Sequence, residues 1–67
     1  MIEILINGQR REAQAGLTLE SLLAALDLPA LRVAVERNGH VVPRGAFAAE
    51  PVEPGDRFEM VTLVGGG

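Results

Sequence analysis

Two Asn-Gly dipeptides set the frame of this chain. Asn7-Gly8 follows residues 1–6, in which Ile2, Ile4 and Ile6 recur at period two, and Asn38-Gly39 follows residues 32–37, in which Val33 and Val35 do the same. Alternation of this kind puts β-branched side chains on one face of a strand. Asparagine and glycine both tolerate the positive φ that a two-residue hairpin turn demands. The spacing therefore predicts two hairpins, one pairing residues 1–6 with 9–14 and one pairing 32–37 with 40–42. Residues 9–14 are polar apart from Ala13, which suits an exposed sheet edge where charge discourages pairing with other molecules. Pro43 cannot donate to a ladder and limits the fourth strand to a short edge piece.

Between the hairpins the period changes to that of a helix. Thr18 is an N-cap candidate, Glu20 in the first turn favours the positive end of the dipole, and Leu17 and Leu22 have the spacing of a hydrophobic staple. Leu19, Leu22, Leu23 and Leu26 form one apolar stripe. Asp27 begins to leave the helix and Pro29 stops it. Residues 45–50 read as a single helical turn that carries Phe47 into the core. Pro54-Gly55-Asp56 has proline and glycine in the order of a type II turn, and residues 58–64 are the last strand. One helix with one apolar face must cover one face of a sheet, and its length suffices for a crossover between parallel strands. The pattern specifies a small α+β domain and leaves strand order open.

Sixty-seven residues hold one domain, and a chain this short hides only about 60% of its unfolded surface. There is no cysteine, which excludes disulfides and thiolate zinc sites, and the single histidine, His40, lies beside a hairpin turn. Stability must come from aliphatic packing, with 48% hydrophobic residues available. The net charge is −3, and the six basic residues, all arginine, are dispersed without an aromatic stacking set. Nucleic acid is not an expected partner. No apolar run approaches the roughly 18 residues of a membrane span, so a soluble, cytoplasmic protein is expected.

Reactive side chains are scarce. The carboxylates are mostly isolated between apolar positions and read as solvated surface charge, with Asp56 shaping its turn. Gly8, Gly16, Gly39 and Gly55 fall singly at turns, so no phosphate-binding glycine loop exists. A chain so equipped is not expected to be an enzyme or to bind a cofactor or metal. One group remains, the α-carboxylate of Gly67. Residues 65–67 are three glycines directly after the last strand, and extended they project about 10 Å. That is enough to enter a narrow active site while the folded body, residues 1–64, docks outside. No side chain hinders attack on the Gly67 carbonyl carbon, which is unreactive until an oxygen becomes a leaving group, as in an acyl adenylate.

The Ile-Leu-Ile-Asn-Gly strand and turn, Leu-Thr-Leu-Glu-Ser-Leu-Leu entering the helix, Val-Ala-Val-Glu-Arg-Asn-Gly-His-Val-Val-Pro-Arg, Pro-Gly-Asp-Arg-Phe-Glu-Met-Val and the terminal glycines together resemble the ThiS family. Its members are thiamine-biosynthesis sulfur carriers with a ubiquitin-like β-grasp fold. The resemblance runs the whole length in order. It implies a mixed sheet of four to five strands on one helix, with the C-terminal strand central and parallel to the first. It also implies that an E1-like adenylating enzyme, using ATP and magnesium, activates Gly67. A persulfide sulfur from a cysteine desulfurase pathway then leaves a thiocarboxylate, which thiazole synthase consumes. Gly66 gives access to the terminal carbonyl and Gly65 is spacer. The small subunit of molybdopterin synthase, carriers for cysteine or methionine synthesis, a ubiquitin-like protein modifier and a non-covalent binding module with an idle tail remain alternatives. Molybdopterin synthase subunits tend to be longer and richer in aromatics.

In the last strand Phe58, Met60, Thr62 and Val64 share one face, and Arg57, Glu59, Val61 and Leu63 the other. The charges assign the second set to solvent. Val61 and Leu63, with Leu5 adding to them, are then expected to form an apolar docking patch beside Gly65.

Overall fold

Both Asn-Gly dipeptides turn as their sequence predicts. In the computed structural model, which describes residues 1–63, Asn7 and Asn38 have φ of 50° and 52°, and Gly8 and Gly39 have φ of 81° and 85°. The first turn joins β1 (Ile2–Ile6) to β2 (Gln9–Ala13) with Ile2 opposite Ala13 and Ile6 opposite Gln9. The second joins β3 (Val33–Arg37) to β4 (His40–Val42) with Arg37 opposite His40. Helix α1 (Leu19–Ala25) lies between the hairpins, and β5 (Arg57–Thr62) closes the described chain. Short 3-10 turns occupy Ala30–Arg32 and Arg44–Ala46. The strand order is β2-β1-β5-β3-β4. β5 runs parallel to β1 and antiparallel to β3, so the sheet is mixed, the last strand is central, and β2 and β4 are its edges. This is the β-grasp arrangement.

The core is what the two periodicities specify. Leu19, Leu22 and Leu23 of α1 are buried in one cluster with Ile4, Ile6, Val33, Val35, Phe58 and Met60 from the sheet. Thr18 caps the helix by accepting from the Ser21 amide at 3.3 Å. The next two amides, of Leu19 and Glu20, donate to the carbonyls of Glu50 and Phe47 at 2.8 and 3.0 Å. That docking seats Phe47, which is 2% exposed. The helix ends before Pro29 is reached. Asp27 adopts a left-handed φ of 58°, and its amide and that of Leu28 donate to Ala24 and Leu23, the two bonds of a Schellman motif. Glu53 to Asp56 forms the expected turn, with φ of 81° at Gly55 and the Asp56 amide donating to Glu53.

Expected strand limits shift by a residue or two. Met1 falls outside β1 and Gln14 outside β2, Arg32 belongs to the 3-10 turn before β3, and β5 starts at Arg57 and ends at Thr62. A larger correction concerns the carboxylates. Asp56 is buried and Glu50 only partly exposed: the Arg37 guanidinium joins both, at 3.0 Å to Glu50 and 2.8 Å to Asp56. The elements involved are distant in sequence, which is why the local pattern gave no sign of the cluster.

The turn asparagines also hold β5 by their side chains. The Asn7 amide donates to the Met60 carbonyl at 3.0 Å and accepts from the Met60 amide at 2.8 Å. It thereby continues the parallel ladder past the end of β1. Asn38 accepts from the Arg57 amide and donates to Asp56, both at 2.9 Å. Asn7→Gly keeps the φ but removes the bonds to Met60, and is expected to cost about 1–3 kcal/mol. A urea midpoint unchanged from wild type would refute that assignment.

Candidate functional site

The outward face of β5 is built by alternation. Phe58 and Met60 are 1% and 7% exposed, whereas Val61 and Leu63 are 60% and 47% exposed. Across the β3 ladder Val61 faces Ala34 and Glu59 faces Glu36. The Leu63 amide donates to the Arg32 carbonyl at 2.6 Å, so the backbone stays in register to the last described residue. The result is a small apolar strip of Val61, Leu63 and Ala34 at one end of the sheet, with Glu36, Glu59 and Arg57 behind it. Leu5 is set apart from this strip. It lies level with Arg57 and is partly buried, about 13 Å back along the strand direction from Val61.

The opposite end of the sheet is held by charge. Asp56 is 5% exposed, accepts from Arg37, Asn38 and the Glu53 amide, and so has every oxygen bonded. Burial alone would push its carboxyl up. The hydrogen bonds from Arg37, the Glu53 amide and Asn38 outweigh that and hold it below the usual carboxylate range. The Arg37 guanidinium is correspondingly held above its ordinary value, first by the bond to Asp56, against the opposing effect of burial. This cluster joins β3 to the loop that precedes β5, and its groups are bonded to one another, so its role is to brace the fold.

Among the described residues no group of three His, Asp or Glu side chains could hold a metal ion, and no helix is long and apolar enough to cross a membrane. Gly65, Gly66 and Gly67, with Val64, lie outside the described residues. What the structure fixes is their point of departure: Leu63, at the end of the central strand, beside the exposed strip.

The family model described as the ThiS family matches residues 4–67. This chain belongs to the ThiS family. A crystal structure of the thiamine biosynthesis protein ThiS from Geobacter metallireducens superposes with a TM-score of 0.83 at 36% identity, covering 98% of this chain and 100% of that one. The sulfur carrier protein ThiS of Escherichia coli (strain K12) is 33% identical over 66 residues, covering 98% of this chain and 100% of its own length. Thiazole synthases of Paramagnetospirillum magneticum and Magnetococcus marinus are 41% and 44% identical over 66 residues. This chain spans only 20% of the length of each of those two. A ThiS-like stretch thus forms part of a polypeptide named for thiazole synthesis.

Proposed function

We propose that this chain is a sulfur carrier of thiamine biosynthesis, a protein co-substrate without catalytic activity of its own. The Gly67 carboxylate attacks the α-phosphorus of ATP on an E1-like adenylating enzyme, which supplies the magnesium, and pyrophosphate leaves. A persulfide sulfur of a cysteine desulfurase pathway attacks the carbonyl carbon and displaces AMP. Cleavage of the sulfur–sulfur bond by a thiol then leaves a C-terminal thiocarboxylate. Thiazole synthase takes that sulfur into the thiazole ring. Gly66 leaves the terminal carbonyl unhindered and Gly65 supplies reach.

The observation that carries this reading is the pair of full-length and embedded relatives. Essentially the whole chain aligns with a named sulfur carrier, and the same 66 residues align with a fifth of two thiazole synthases. Covalent linkage of carrier-like and synthase sequence favours thiazole synthase as acceptor over a molybdopterin synthase or a conjugation target. The test is intact mass after incubation with the adenylating enzyme, ATP, magnesium and a persulfide donor. Exchange of one C-terminal oxygen for sulfur is expected. A mass that stays unchanged while a control carrier is converted would overturn the reading.

Docking is assigned to the Val61–Leu63 strip without Leu5, which lies level with Arg57. Val61→Asp and Leu63→Asp are each expected to weaken the complex with the adenylating enzyme roughly tenfold or more, as for loss of an apolar anchor. Both side chains are exposed, so the melting temperature should stay within a few degrees of wild type. Titration by calorimetry with equal affinity for both variants and wild type would remove the strip from the interface.

A further inference from the structure

The end of the sheet at which the described chain stops carries cations but no amine. The sequence has six arginines, no lysine and no cysteine. Arg32, exposed, is the cation nearest the exit in the backbone ladder, since its carbonyl accepts from the Leu63 amide. A lysine there would be a nucleophile whenever its ammonium lost a proton. A guanidinium stays protonated in proteins and is not.

The other nitrogen nucleophiles are placed out of reach. β1 is parallel to β5 with Leu5 level with Arg57, so the α-amine of Met1 lies at the far end of the sheet, about 33 Å from Leu63 at the usual rise per residue. His40 is level with Arg37 and thus with Phe58. That places it two strands over and five residues back, about 19 Å from Leu63. Four residues follow Leu63, and fully extended they span at most about 14 Å.

We infer that this amine- and thiol-free end keeps an activated C terminus from acylating its own chain, so that the acyl group passes only to an external acceptor. The inference rests on activation of Gly67 as proposed above. An amine within reach would attack the Gly67 carbonyl carbon, the bond to the AMP oxygen would break, AMP would leave and the amine would release its proton to solvent. The product would be an internal amide in place of the thiocarboxylate. Arginine at position 32 retains the positive charge at the exit without offering that side reaction.

The test separates this inference from the activation reading by using a chemically activated terminus. The full-length chain is prepared with Gly67 as a thioester of a small alkyl thiol and followed by intact mass at mildly alkaline pH. Wild type is expected to lose the thiol only by hydrolysis, giving the linear acid. The Arg32→Lys chain is expected to lose it at least about tenfold faster, because the tethered amine acts at an effective concentration near the millimolar range or above. Its product should be lighter than the acid by one water, with the internal amide mapped to the substituted side chain. Glu12→Lys adds an amine on β2, level with Glu3 and about 28 Å from Leu63, and should behave as wild type. Decay of the Arg32→Lys thioester at the wild-type rate to linear acid would overturn the inference, as would cyclisation of wild type. A second arm uses the adenylating enzyme with ATP and magnesium. Failure of wild type to form an adenylate there would overturn the activation reading, while the thioester arm still decides the inference.

Discussion

Removal of Gly67 is expected to abolish ATP–pyrophosphate exchange by the adenylating enzyme while far-ultraviolet circular dichroism stays unchanged. The two observables separate because the folded body and the terminus are built from different residues. Among the described residues every member of the buried core falls between Ile4 and Met60, and the glycines come after it in the chain. Losing the last residue removes no side chain, since glycine has none. It withdraws the carboxylate by one residue, or about 3.5 Å, from where an enzyme shaped for the full tail would hold ATP. Misplacement by even about 1 Å can cost around 100-fold in rate. Gly66→Val keeps the length and adds a β-branched side chain beside the reacting carbonyl, and a loss of about 100-fold or more is expected on the same grounds. Exchange at the wild-type rate by either variant would refute the role given to the terminus.

Arg37→Ala is expected to destabilise the domain by about 2–4 kcal/mol, because it leaves Asp56 buried without its cation. A domain of this length is stable by only about 3–10 kcal/mol in all, so the loss takes much of the margin. The pH dependence gives the assignment a second check. The Asp56 carboxyl is held below its usual range in the folded state, so the unfolded chain binds more protons as acid is added. Its contribution is fully present above the ordinary carboxylate value and is lost as pH falls through the folded value, that is, below about pH 4. Wild type should therefore lose stability in that window, measured as a falling urea midpoint, and Arg37→Ala should show a shallower slope. Equal slopes would mean that Arg37 is not what holds Asp56 ionised.

Local chemistry explains which features could be read before any coordinates. The Asn-Gly turns, the Thr18 cap, the α1 stripe and the facing of β5 depend on residues no more than a few positions apart, and each sits as its pattern implies. The polar composition of residues 9–14 and the position of Pro43 assigned the two edges correctly, since charge and a missing amide are tolerated only there. Strand order did not follow from pattern, and came from the family resemblance. The Arg37–Glu50–Asp56 cluster was not legible, because it joins residues 13 and 19 positions apart whose isolated charges look like any surface charge. The side-chain role of Asn7 was hidden for a different reason. Its backbone duty in the turn already accounted for its identity, and its bonds to Met60 span 53 positions. The terminal glycines show the reverse case. They stand out in the sequence by what the rest of the chain lacks, and the described residues add only the place from which they leave.

The position of β5 bears on how the protein is made. It follows every other described strand in the chain yet is the middle strand of the sheet, and the two hairpins meet only through it. Until it emerges from the ribosome, neither hairpin has its central neighbour, and the loop closures needed to pair β1 with β5 span most of the chain. A product cut short within β5 lacks the strand that completes the core and remains open to proteolysis. The sheet thus cannot close from its hairpins alone, and the domain folds only once nearly all of residues 1–62 has been made.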